Sequence, residues 1–314
     1  MMKRDFTFKT FYHFLEILIK NDYRFLAFED YIENQKSRIQ NQFARLESAQ
    51  VKHIDDNFTN ISTEKFSNYV GNSDQTNNLI LRYCVLRHDV DLHPENSLIT
   101  AKIEKELGVR GSYYFRIIPE SFNKNIIKEI AGLGHEIGYH YEELDIIRRN
   151  TKIKNKIIKD DIYNQAYELF KINLEIFRDI ADVKTICMHG SPLSPYDNKD
   201  IWNKYNYRDL GIIGEPYFDM DWNSFYYLSD TGRRWNGGSV AVRDKVNSSM
   251  PKVLNELKST QELVSALEQN KFPNNLMLNF HPQRWNDNFY PWLKELLLQN
   301  TKNIIKSWIV RLRT

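Results

Sequence analysis

The sequence predicts an α/β fold, a distorted barrel of mostly parallel strands covered by helices. Three observations carry this. Short apolar strands alternate with helical segments along most of the 314 residues. Those strands are apolar on both faces, as strands buried between two layers must be. The titratable residues Asp89, Asp91, His140, His189 and His281 fall at C-terminal strand ends, where a β/α barrel carries its site.

Each element follows from its local pattern. Residues 8–20 space Phe11, Phe14, Leu15 and Leu18 as an amphipathic helix, and YRFLAF (23–28) is a strand. Residues 34–78 are polar and rich in Gln, Asn and Ser, a surface insertion or part-helical excursion in an otherwise single domain spanning 1–314. LILRYCVLRHDVD (79–91) is a strand with no wet face. Pro94 to Leu107 is a helix stopped by Gly108, and GSYYFRI (111–117) is a strand. Ser121 to Leu133 is a helix with Ser121 as N-cap, followed by the strand EIGYH (136–140). Residues 152–178 set Ile158, Ile162, Ala166, Phe170, Leu174 and Phe177 along one helical stripe, and KTICMHG (184–190) is a strand. GIIGEPY, GSVAV and LMLNFH are shorter strands, the last leading into a helix from about 288 to 299.

Composition narrows the function. With 43 basic and 41 acidic residues, net +2, no field of one sign points to nucleic acid or an anionic membrane as default partner. Hydrophobic residues make up 41%, enough for a sizeable core. Cys84 and Cys187 lie in apolar strands and are expected as buried thiols, with neither disulfide nor zinc-finger spacing. No run approaches ~18 uninterrupted apolar residues, so no membrane span is expected. The N-terminus lacks a leader pattern, which makes a cytoplasmic protein the simplest expectation.

Asp89 and Asp91 stand two apart at a strand end and share a face on an ideal strand. Carboxylates so placed resist ionising together unless a cation lies between them or one holds a proton. An Asx turn or a helix cap would use the same residues. His140 ends a neighbouring strand and is a candidate ligand through neutral imidazole, whereas His135, at the far end of that strand, is structural. His189 precedes Gly190, and His281 precedes Pro282. His88 alternates with Asp89 and faces away from it, and His93 is a reserve ligand. In SDTGRRW, arginine forks beside an aromatic face suit an acidic sugar, making Asp230, Arg233 and Trp235 candidate substrate residues; a solvated surface hairpin is the alternative.

At these residues the chain resembles the NodB-homology polysaccharide deacetylases, carbohydrate esterase family 4. RHDVD stands where that family has its Asp–Asp motif, GHEIGYH is similar to its second motif, and LNFHP to its last. HGSP replaces an Arg–Pro–Pro segment. HGSPLSPYDN (189–198) and YLSDTGRRWN (227–236) look most like the WbmS-like branch, found with O-antigen and capsule biosynthesis. The resemblance runs from about residue 8 to the C-terminus apart from the insertion. It implies a polysaccharide-deacetylase barrel, a divalent metal, usually zinc, and hydrolysis of an N-acetyl group on a sugar. Carried over, Asp89 would be the general base, Asp91 the carboxylate ligand, His140 the first histidine ligand and His281 the general acid. The family's second histidine falls at position 144, which is Leu here. His189 is the chosen replacement, with Glu142 and Glu143 as competitors. Two other readings stay open: a metal-free hydrolase of a C–N bond, and an inactive carbohydrate-binding relative.

Overall fold

The computed structural model describes residues 4–37, 40, 81–150, 159–191, 194, 196–235, 246 and 256–313. In chain order the elements are α1 (Phe8–Lys20), β1 (Tyr23–Leu26), α2 (28–37), β2 (Arg82–Val90), α3 (Pro94–Glu106), β3 (Ser112–Phe115), α4 (Lys124–Gly132), β4 (Glu136–Tyr141), α5 (Glu143–Asn150) and α6 (Lys159–Arg178). Then come β5 (Ile186–Met188), α7 (Pro216–Asp219), β6 (Tyr226–Ser229), α8 (Thr260–Glu268), β7 (Asn275–Phe280) and α9 (Phe289–Arg313). The seven strands form one sheet in the order β5-β4-β3-β2-β7-β6, with β1 beside the start of β2, and every described pairing is parallel. This is the expected distorted (β/α) barrel; among the described residues no strand joins its edge strands β5 and β6.

Alternation along each strand sorts its side chains between two layers. Cys84 and Leu86 of β2 join Leu276, Leu278 and Phe280 of β7 in an outer core with Phe11, Phe14, Leu15 and Leu18 of α1. Tyr113, Phe115, Ile137, Tyr139 and Tyr141 join a second core cluster with Phe170, Leu174 and Phe177 of α6, in which Tyr139 and Tyr141 meet the Phe170 ring. Each fully buried side chain of this size contributes ~1.5–3 kcal/mol. The opposite faces of β2, β3, β4, β5 and β7 turn Arg87, Asp89, Ser112, Tyr114, Glu136, His140, Cys187 and Asn279 into the barrel interior, where Arg87 and Asn279 bond Asp89, Ser112 bonds Glu136 and Tyr114 bonds Thr185.

Several elements depart from the expected pattern. GIIGEPY contributes only the parallel bridge of Gly214 to Thr185, because Pro216 opens α7. The N-cap of α4 is Asn123, whose Oδ1 accepts from the amides of Asn125 and Ile126. Ser121 instead accepts from the Arg116 amide at 3.1 Å and donates to the Val90 carbonyl at 2.5 Å, tying the ends of β2 and β3 together. Part of YLSDTGRRWN is a sheet strand, β6. GSVAV and nearly all of the 34–78 insertion lie outside the described residues.

Candidate active site

Parallel pairing brings the C-terminal strand ends to one level. His140 of β4 pairs with Cys187 of β5, and Asp89 of β2 with Tyr114 of β3. Asp91, just beyond β2, turns Oδ1 to within 3.5 Å of Nε2 of both His140 and His189. That oxygen is buried and has no hydrogen-bond partner among the described residues. Its companion Oδ2 accepts from Gln283 Nε2 at 3.1 Å.

The two imidazoles are anchored from behind. His140 Nδ1 lies 2.9 Å from the Cys187 carbonyl, which can only accept, so Nδ1 donates there and Nε2 is the nitrogen turned toward Asp91. His189 Nδ1 lies 3.2 Å from Glu142 Oε2, close enough for an ion pair but off the line of a hydrogen bond. Glu142 is itself gripped by Arg116 Nε and Nη2 at 2.9 and 2.6 Å. Burial opposes charge on Glu142, but His189 and Arg116 outweigh it and bring its pKa down to about 2.

Asp89 is held as an anion. Arg87, two residues earlier on the same face, donates from Nε and Nη2 at 2.8 and 2.6 Å, and Asn279 Nδ2 adds a third bond at 3.0 Å. Burial would raise its pKa, yet Arg87, with His140 and His281, holds it well below the usual carboxylate range. Across the site, Asp230 gathers the segment after β7. Its Oδ1 accepts from His281 Nδ1 at 2.6 Å and Arg284 Nη1 at 2.7 Å, and its Oδ2 from the His281 amide at 3.0 Å and the Trp285 indole at 2.8 Å. His281 Nε2 then faces the cluster, 4.0 Å from Asp91 Oδ2.

The structure therefore brings together Asp89, Asp91, His140, His189 and His281. It does not bring the other candidates there. Asp230 stands behind His281, fully buried, and has no face open to a sugar. The Arg233 guanidinium lies over the rings of Trp292 and Phe6, at 4.7 and 5.5 Å to their centroids, and burial lowers its pKa to about 10. Trp235 is buried in the outer core and donates to Thr260 Oγ1. The substrate surface expected from SDTGRRW is thus a set of packing residues. Glu143 points away too, to Tyr139 and Asn173 beneath α6, and burial lifts its pKa to about 7. Leu144 is buried in the apolar cluster beneath α6.

Sequence reasoning missed Arg87, Asn279, Gln283 and Arg284. The i, i+2 spacing of Arg87 to Asp89 was the available signal for the first; the others fill alternate or adjacent positions around His281. His88 and His135 fit their expected structural parts. His88 Nε2 lies 2.8 Å from Glu104 Oε1 under α3, and His135 Nε2 meets the Ala101 carbonyl at 3.0 Å.

The donor set fits a divalent cation. An imidazole lone pair aimed at a carboxylate oxygen sets two acceptors face to face, which requires a cation or a proton between them. Bonds of ~2.0–2.1 Å in a tetrahedral site put donor atoms roughly 3.4 Å apart, close to the 3.5 Å spacings here.

No family model and no curated protein matches the chain. Among solved structures, two mutants of BA3943, a CE4 family pseudoenzyme, match, one of them with restored enzymatic activity. Each gives a TM-score of 0.35 and 14% identity, covering 72% of this chain and 66% of the other. Likeness at this level leaves residue roles to the geometry of this chain.

Proposed function

We propose that this chain is a metal-dependent hydrolase that removes an acetyl group from an amino sugar of a surface polysaccharide, or of its precursor. The observation that carries this reading is Asp91 Oδ1, buried without a hydrogen bond and equidistant from two histidine nitrogens. Asp91, His140 and His189 would hold the cation, which when bound supplies Lewis acidity to a carbonyl and to water.

Asp89, fixed as an anion by Arg87, accepts the hydrogen bond of the attacking water and takes its proton. His281, oriented by Asp230, gives one proton to the leaving nitrogen as the C–N bond breaks, which frees the amine and acetic acid; the acid then loses its remaining proton to solvent as acetate. So weak a base as Asp89 holds the water's proton only in passing and passes it to His281, which restores both groups. Gln283 keeps Asp91 turned so that Oδ1 faces the histidines.

The same distances favour one other reading. Asp91 within 4.0 Å of three histidines is also what an anion held by imidazolium partners looks like, as in a metal-free hydrolase. Acetate release from N-acetylated amino-sugar oligomers separates the two. Release that needs a divalent cation and is lost in His140→Ala and His281→Ala supports the metal-dependent reading. Release that survives complete chelation transfers the site to the metal-free one.

A further inference from the structure

Helix α9 carries its polarity inside out. Its inner side meets the barrel through polar groups: Trp292 Nε1 donates to the Asp5 carbonyl at 2.6 Å, and Asn303 Nδ2 to the Gly232 carbonyl at 2.8 Å. Gln299, on the same side, is buried. The outer side bears Tyr290, Leu297, Ile304 and Ile305, which are 82%, 59%, 62% and 55% exposed, with Leu298 exposed beside them. At ~100° per residue these five fall within an arc of roughly 120°. Lys294 and Thr301 are exposed within the same arc. Single exposed apolar side chains are ordinary, but several grouped on one helix face mark a docking surface.

Charge selects what docks. Residues 289–313 contain Lys294, Lys302, Lys306, Arg311 and Arg313 against Glu295 alone, a net +4 in a chain whose total is +2. A second copy docked through the same helix would set one net +4 segment against another. An anionic bilayer complements both the apolar stripe and the charge. No helix among the described residues is long and apolar enough to cross a membrane, so α9 would lie in the interface plane. The near-neutral total conceals this local excess. We propose that α9 docks the protein onto an anionic lipid surface.

Co-flotation of the full chain with vesicles tests this, using equimolar phosphatidylcholine and phosphatidylglycerol beside phosphatidylcholine alone. The chain is expected to float with the anionic vesicles and to be released by raised salt. Leu297→Glu with Ile305→Glu is expected to weaken binding at least tenfold, since both apolar side chains would otherwise enter the lipid. Both side chains are exposed, so an unchanged melting temperature should accompany that loss. Lys294→Glu with Lys302→Glu, which leaves the stripe intact, is expected to remove most of the preference for anionic lipid. Three results would overturn the proposal: no vesicle binding by the full chain, binding that both variants retain, or dimerisation that Leu297→Glu with Ile305→Glu abolishes. The last would assign the face to a second copy.

Discussion

His189 Nε2 stands 3.5 Å from Asp91 Oδ1, the same distance at which His140 Nε2 stands from that oxygen. The imidazole that completes the cluster thus comes from the end of β5, while position 144 is an apolar core residue. His189→Ala is expected to lower cation affinity by more than a hundredfold, as loss of a direct ligand does. Glu142→Gln, which leaves His189 in place without its anionic neighbour, is expected to cost ~10–100-fold. Titration with zinc against a competing chelator measures both.

Leu144→His is expected not to improve the site. Leu144 is 1% exposed and packed in the cluster beneath α6, so a histidine there would be a buried polar group without a partner. Thermal denaturation should show a loss of ~1–3 kcal/mol, with cation content unchanged.

Asp230→Asn removes the anion that orients His281 and neutralises Arg284. Turnover should fall ~10²–10⁴-fold, the scale of one general-acid contribution. In a His281→Ala background the same substitution should cost little further turnover, because Asp230 acts through the ring it orients. A folding defect would instead add its loss to that of His281→Ala.

Glu136, inside the barrel, accepts from Ser112, Thr185 and the Glu29 amide. Burial, with Glu29 nearby, raises its pKa from 4.5 to about 7. A carboxyl whose folded pKa lies above the unfolded one stabilises most below the unfolded value, and loses that contribution as pH rises through the folded value. Between pH 4.5 and 7 this group therefore favours folding progressively less. Glu136→Gln cannot ionise, so its stability relative to the native chain should rise across the same window in urea denaturation.

Gly138, in the middle of GHEIGYH, lies against the Tyr114 ring so closely that an added Cβ would overlap ring carbons. Gly138→Ala is expected to destabilise by ~1–3 kcal/mol through forced repacking. Circular dichroism melting should register this without a change in cation stoichiometry if the strand ends above are undisturbed.

Much of this arrangement is legible in the sequence because it is local. The boundaries of α1 follow from the spacing of Phe11, Phe14, Leu15 and Leu18, and β4 is Glu136–Tyr141 where the sequence shows EIGYH. Parallel pairing also made one end of the sheet the gathering place for strand-end His and Asp. Tertiary contacts hid the rest. Arg233 and Trp235 resemble a sugar-binding pair until Phe6, from the far end of the chain, packs on both and Trp292 covers Arg233. Asp230 carries no local sign that His281, Arg284 and Trp285 all converge on it.

The most direct test is metal content by plasma mass spectrometry on the untagged full chain, beside His140→Ala and His189→Ala. The expected result is a near-stoichiometric divalent ion in the native protein, lost in both variants while their folds persist by circular dichroism. A native protein that takes up no ion after incubation with zinc, or variants that retain it, would contradict a cation site built from Asp91, His140 and His189.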